Sequence, residues 1–249
     1  MFRPYIGIAG FTQHAQVRTV LDALAPACPR PLMVGVQVSM DTLRGTAQTE
    51  FARRRPPSTQ LADILTNDSR ALNYVHYNTT AHATLSEQLS EAVDLCGPLL
   101  HGFQLNLTWP APHSLATFRT RHPSLGMVLQ MGTAALSQVD NSPGAFCDRL
   151  KTDYEGLVDC ILLDSGQGYG HPFAPEYFRT FLAEMASREL NMAPGVAGGI
   201  CATTMHLVEP LIPEFPDLSF DSEAAFFDRD DQMNLDAASA YLLRGLELV

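Results

Sequence analysis

The run Asp159-Cys160-Ile161-Leu162-Leu163-Asp164-Ser165-Gly166-Gln167-Gly168-Tyr169-Gly170-His171 decides how the chain folds. A short apolar stretch ends in a carboxylate and passes into a loop with glycine at alternate positions. Apolar runs of this length bounded by glycine read as strands. Downstream, Tyr177, Phe178, Phe181, Leu182 and Met185 stand at i, i+1, i+4, i+5 and i+8, the stripe of an amphipathic helix. Residues 194–197, followed by Gly198-Gly199, read as the next strand. Strand, polar loop, helix and strand in that order imply a parallel sheet.

The same alternation extends in both directions. Strands are expected at 5–9, 32–38, 72–77, 102–107, 125–131, 159–163, 194–197 and 218–220. Leu85, Leu89 and Val93 recur every fourth residue, and Leu235, Ala238, Leu242 and Leu246 repeat that helical face near the carboxyl terminus. About eight such units in 249 residues predict a single-domain (β/α)8 TIM barrel over 1–249. An open doubly wound sheet is the competitor. It would carry G-x-G-x-x-G after its first strand, where this chain has Ala9-Gly10-Phe11-Thr12-Gln13-His14. The stretch 53–57 reads as part of a long loop after the second strand, of the kind that carries substrate contacts.

Composition sets the outer limits. Hydrophobic residues make up 46% and charged residues 17%, enough for a sizeable core and against disorder. Sixteen Lys+Arg against 27 Asp+Glu leave a net charge of −11, which gives no general attraction for nucleic acid or anionic lipid. No apolar run approaches the ~20 residues of a membrane span. Met1-Phe2-Arg3-Pro4 leads straight into a strand, so no signal peptide is expected. The five cysteines (28, 96, 147, 160 and 201) are odd in number and contain no C-x-x-C pair. They read as free thiols in a reducing cytoplasm. The expected partner is a small-molecule substrate, with no cofactor and no metal; the oligomeric state is left open.

A barrel of this kind builds its site at the carboxyl-terminal ends of its strands. In chain order those ends carry Ser39-Met40-Asp41 and the arginines after it, His76-Tyr77-Asn78, Gln104 and Asn106 with the lone Trp109 beyond, Gln130, Asp164, Gly198-Gly199, and Asp221-Ser222-Glu223. Asp164, directly after an apolar strand, reads as a general acid/base at the barrel mouth, or else as a solvated strand end or a helix cap. Gly166, Gly168 and Gly170 let backbone approach a ligand closely, and His171 follows them. Gly198 and Gly199, ahead of a helix expected near Thr203, offer a phosphate cradle or simply a tight turn. Trp109 either stacks on a planar ligand or packs in the core. His76 and His82 read as polar positions rather than metal ligands. No H-x-H on strand one, no H-E-x-x-H and no G-x-S-x-G is present, which disfavours zinc and serine hydrolases.

The order of these segments resembles phosphoribosylanthranilate isomerase, the barrel enzyme of tryptophan biosynthesis. Ile8-Ala9-Gly10-Phe11-Thr12 is similar to the family's I-C-G-L-T, and Arg55-Pro56-Pro57-Ser58 to its P-R-x-x-S. Val75-His76-Tyr77-Asn78 is similar to V-x-V-N, Gln104-Leu105-Asn106 to Q-L-H, and Ala197-Gly198-Gly199-Ile200 to A-G-G-L. The closest echo is Leu162-Leu163-Asp164-Ser165 with Gly166-Gln167-Gly168-Tyr169-Gly170-His171-Pro172-Phe173, against L-L-D-S and G-G-G-T-G-K-T-F. The resemblance implies that Asp164 is the general acid and that Arg55 binds a substrate carboxylate. It also implies a cysteine base at strand one, where this chain has Ala9, and a methyl group moves no proton. The family's S-S-G at strand eight is here Asp221-Ser222-Glu223. Carboxylates beside a phosphate repel it by about 3 kcal/mol per charge pair at ~5 Å and an effective dielectric of ~20. The alternative for Asp221 and Glu223 is capping or an ion pair with Arg229.

The sequence therefore predicts a remote, divergent isomerase-like barrel using acid–base chemistry on a ribose-like or sugar-conjugated metabolite, and not the tryptophan-pathway isomerase itself. Asp164 is the expected acid, with Glu223, Asp221 or His76 as base. Arg55, Asn78, Gln104, Asn106, Trp109, Gly166, Gly168, Gly170, His171, Gly198, Gly199, Asp221 and Ser222 are the expected substrate contacts. The rival readings are a barrel that binds a metabolite or protein without catalysis, and a metal-dependent aldolase-type site.

Overall fold

The computed structural model describes residues 2–46, 52–164 and 173–249. Its strands are β1 Ile6–Ala9, β2 Leu32–Ser39, β3 Ala71–Asn78, β4 Gly102–Leu105, β5 Gly126–Met131, β6 Cys160–Asp164, β7 Ala193–Ala197 and β8 Ser219–Ser222. Each pairs in parallel with the next, and β8 pairs back onto β1, closing an eight-stranded barrel. The strands lie within two residues of the positions expected from the sequence. The described helices are α1 His14–Asp22, α2 Met40–Arg44, α3 Leu61–Ile64, α4 Leu85–Cys96, α5 Pro112–Arg121, α6 Thr133–Ser137, α7 Pro143–Asp153, α8 Pro175–Ser187 and α9 Leu235–Leu246. This is the (β/α)8 barrel. No helix among the described residues is long and apolar enough to cross a membrane.

Period-two alternation explains the packing. Outward residues such as Ile8, Val34, Val36, Phe103, Leu129, Ile161 and Phe220 join the helices in one large apolar layer. Inward residues Tyr5, Met33, Leu72, Tyr74, Val128, Cys160, Leu162 and Ala197 form a second cluster inside the ring. On α8, Phe178, Phe181, Leu182 and Met185 are buried as their spacing predicts. Tyr177 is not; it is partly exposed and its hydroxyl donates to Asn141 Oδ1 at 3.0 Å.

One expected helix is missing. The connection from β7 to β8 contains only the single 3-10 turns Met205–Leu207 and Glu209–Leu211, and no α-helix begins near Thr203. Pro210, Pro213 and Pro216 recur at three-residue spacing, and each removes the N–H that an α-helix needs. Thr204 shapes the start of the turn instead: its hydroxyl accepts from the Cys201 N–H at 2.8 Å and donates to the Gly199 carbonyl at 2.9 Å. Gly198 and Gly199 therefore lack the helix dipole that would favour a phosphate.

The seam between the first and last strands depends on an absent side chain. Gly7 faces Asp221 in the β1–β8 register, and a Cβ on Gly7 would lie 2.5 Å from Asp221 Oδ1. The carboxylate occupies the space glycine leaves. Gly7→Ala is expected to lower unfolding free energy by about 1–3 kcal/mol in urea denaturation. A cost of similar size for alanine at Gly144, where φ is not positive and a Cβ would meet only the flexible end of Arg188 at 3.3 Å, would show that the effect is not local to the seam.

Candidate active site

Toward the carboxyl-terminal end of the barrel the inward positions turn polar: Gln37 on β2, His76 on β3, Gln104 on β4, Gln130 on β5, Asp164 on β6 and Asp221 on β8. Register places Gln37, His76 and Gln104 side by side, and Asp164, Ala197 and Asp221 likewise. A continuous chain of hydrogen bonds crosses the lumen. Gln104 Nε2 donates to Asp221 Oδ2 at 2.9 Å and to Gln130 Oε1 at 3.1 Å, and Gln130 Nε2 donates to Asp164 Oδ2 at 2.6 Å. All four residues are buried, so each bond replaces water that the barrel excludes. Gln104 Oε1 and Asp221 Oδ1 are buried without a hydrogen-bond partner.

Asp221 is buried as fully as Asp164. Burial pushes its carboxyl up to about 7, with Glu223 and Asp164 adding to the rise and the hydrogen bond from Gln104 opposing it. Tyr5 and Tyr241, also buried, are raised partly by the charge of Asp221, which places it among the interior side chains and not at the open rim.

Glu223, just beyond β8, is held from two sides. Arg54 Nη1 lies 3.3 Å from its Oε1, and His76 Nδ1 lies 3.5 Å from its Oε2. The His76 contact is an ion-pair distance without a hydrogen bond, and Nδ1 is buried. Arg54 also reaches Asp231 Oδ1 at 2.7 Å, and its guanidinium lies 4.2 Å from the centre of the Phe227 ring. Phe227 covers Gly10, where φ is +98° and a Cβ would come within 2.6 Å of the ring. The segments after β2 and β8 are thereby tied together across the end of β1. Burial holds His76 below its ordinary value; Glu223 and Asp164 pull it upward, Arg55 pushes it down and a hydrogen bond with Gln130 raises it. Near neutral pH the imidazole is uncharged.

Several sequence-predicted positions come together here: Asp164, Glu223, His76, Gln104 and Asp221, with Arg55 close enough for its charge to act on His76. Asn78 and Asn106 are exposed just above, at the ends of β3 and β4, and the Asn106 N–H is bonded to the Tyr77 carbonyl at 3.0 Å. Gly198 and Gly199 turn with φ of +96° and +66° at the end of β7. Ala9 is buried in the lumen beside Gly35.

Other positions fall elsewhere. Trp109 packs in the outer layer against Phe146 and Tyr154, with Arg149 over its ring and its N–H donated to the Ala135 carbonyl at 2.9 Å. The core reading holds for it, not stacking on a ligand. The Ser222 hydroxyl is committed to the Ile200 carbonyl at 2.5 Å, because its parity on β8 points it away from the lumen. Glu223 pairs with Arg54; Arg229 is exposed. Gly166, Gly168, Gly170 and His171 lie outside the described residues. Gln130 was read as a strand-end position and Arg54 as part of the loop expected to carry substrate contacts, but neither was given a role; Gln37 was not named, although the inward parity of a glutamine in an apolar strand marks it. All five cysteines are free.

No protein-family model matches the chain, and no curated protein matches it. Among solved structures, N-(5'-phosphoribosyl)anthranilate isomerase from Pyrococcus furiosus superposes with a TM-score of 0.62 at 16% identity, covering 98% of this chain and 99% of that one. Phosphoribosyl anthranilate isomerase from Thermotoga maritima gives 0.61 at 12% identity, over 98% and 100%. A Rubisco-like protein from Rhodopseudomonas palustris gives 0.56 at 14% identity, over 98% of this chain and 64% of that one. At such identities the likeness establishes the fold, a barrel remotely related in shape to those isomerases.

Asp221 links stability to pH. Its carboxyl binds a proton more tightly in the folded chain (about 7) than at the ordinary value of 3.8. Unfolding between those values releases a proton, so stability falls as pH rises from about 4 to 7 and the penalty is complete above 7. The upper figure is about 4 kcal/mol. Asp221→Asn, which keeps an oxygen for Gln104, is expected to gain stability over the wild type at pH 8 and to match it near pH 4. Urea melts that run parallel at the two pH values would contradict this.

Proposed function

We propose that the chain is a divergent isomerase-like barrel enzyme that acts by acid–base chemistry on a ribose-like or sugar-conjugated small metabolite. One observation carries the reading: His76 and Glu223 stand 3.5 Å apart at the barrel mouth, and Asp164, held by the Gln130 amide at 2.6 Å, faces the same imidazole closely enough for its charge to act on it. Asp164 is assigned as the acid that protonates a ring or leaving oxygen. The uncharged His76, backed by Glu223, is assigned as the base. Asp221, buried with its Oδ2 taken by Gln104, is the least suited of the three candidate bases. Arg55 supplies positive charge near His76, and Asn78 and Asn106 are assigned to ligand hydroxyls. Sugar isomerisation, N-glycoside hydrolysis and elimination all use such a pair. The free thiols fit a cytoplasmic setting.

Ala9 supports the departure from the tryptophan-pathway reaction, since it puts a methyl where that family's resemblance implies a base. It also favours the second reading, a barrel that binds a metabolite without turning it over. Incubation of the protein with a panel of free pentoses, N-ribosides and phosphoribosyl conjugates, followed by proton NMR, separates the two. Turnover of one panel member, reduced at least ~100-fold by Asp164→Asn, is expected. Turnover that survives Asp164→Asn intact removes Asp164 as the acid. Efficient conversion of phosphoribosylanthranilate overturns the proposed departure.

A further inference from the structure

We infer that Arg54 is a positioning residue, which holds the Glu223 carboxylate against His76 and so makes the strap between the β2 and β8 segments part of the proton-transfer machinery. The inference rests on the reading of His76 and Glu223 as the basic half of the site. It begins from a mismatch in the fold. Glu223 lies outside any strand, in backbone that begins a single 3-10 turn, so no ladder fixes where its carboxylate points. What fixes it is a side chain from the other side of β1.

Arg54 is itself restrained at every part of its guanidinium. Nε donates to Asp231 Oδ1 at 2.9 Å, Nη2 approaches the same oxygen at 2.7 Å, Nη1 approaches Glu223 Oε1, and the flat face rests on Phe227. The neighbouring Arg53 donates to the Asp230 carbonyl at 2.8 Å, fastening the same two segments a second time. Phe227 in turn is seated on Gly10. A guanidinium with its fork engaged on one carboxylate leaves the second carboxylate one oxygen for the cation and one for something else. For Glu223 that second oxygen is the one facing His76 Nδ1. Lysine has no such fork, so charge alone does not reproduce the arrangement.

Among the described residues the groups acting on His76 are Glu223 beyond β8, Asp164 of β6, Arg55 after β2 and Gln130 of β5, with Gln37 and Gln104 flanking it in register. Removing Arg54 changes only the first of these directly. If Arg54 holds Glu223 in place, the influence of Glu223 on His76 disappears with it.

The test is a double-mutant cycle read by NMR, with no substrate present. The His76 ring signal, assigned by its loss in His76→Gln, is titrated against pH in the wild type, Glu223→Gln, Arg54→Met and the double variant. In the wild-type background Glu223→Gln is expected to lower the His76 midpoint by about one pH unit. In the Arg54→Met background the same change is expected to move it by less than about a third of that. Equal shifts in both backgrounds overturn the inference, and so does a Glu223→Gln shift of zero in the wild type. If Arg54→Met does not fold, Arg54→Lys takes its place: a coupling cut to about half supports the role of the fork, and an undiminished coupling refutes it. Because no turnover is measured, this result is separate from the fate of the acid assigned to Asp164, which only the Asp164→Asn assay decides.

Discussion

One amide nitrogen, shared between two acceptors, organises the polar half of the barrel. Gln104 Nε2 donates both to Asp221 and to Gln130, and through Gln130 it sets the group presented to Asp164. A closed ring of strands shuts the inward side chains below its mouth away from solvent, so a carboxylate placed there needs a donor from another strand. Two glutamines supply those donors. Their amides have a fixed sense: once Nε2 of Gln104 points at Asp221, Gln130 must turn its oxygen toward Gln104 and its nitrogen toward Asp164. The orientation of the residue assigned as acid is thus determined from the opposite side of the lumen.

The strands were legible because they are buried on both faces and read as short apolar runs between glycine-rich loops. The same property hid much of the site. Gln37 and Gln130 are polar interruptions in such runs, and only the in–out parity of the strand shows that they share a face with His76 and Asp164. The loop that carries Arg54 was legible, but the role of Arg54 within it was not. Its role depends on a loop meeting a loop from the far end of the chain, 169 residues away in the Glu223 contact, and three successive arginines differ in nothing that spacing can read. Ser222 was misplaced for the converse reason: it is the last residue of β8, and neighbours in sequence point to opposite sides of a barrel wall. The helix expected after Gly198-Gly199 was lost to prolines whose spacing suits tight turns.

The two halves of the site differ in how they are held. Asp164 and Asp221 stand on strands and are positioned by side chains that also stand on strands, so they share the rigidity of the ring. Glu223 stands beyond β8 and takes its place from a contact between connecting segments. Where Ala9 lies, at the end of β1, the side chain is a methyl with nothing to titrate.

The glycine notch on β1 has a consequence for assembly. Gly7 admits the Asp221 side chain at the one junction where the chain's beginning meets its end, and no other ladder joins residues so far apart in sequence. Near pH 7 that carboxyl is about half protonated in the seam, although it is almost fully ionised in the unfolded chain, so closing the ring takes up part of a proton from solvent. Sealing the circle is for this protein also an act of neutralisation, and the surrounding acidity becomes one of the reactants in making the fold.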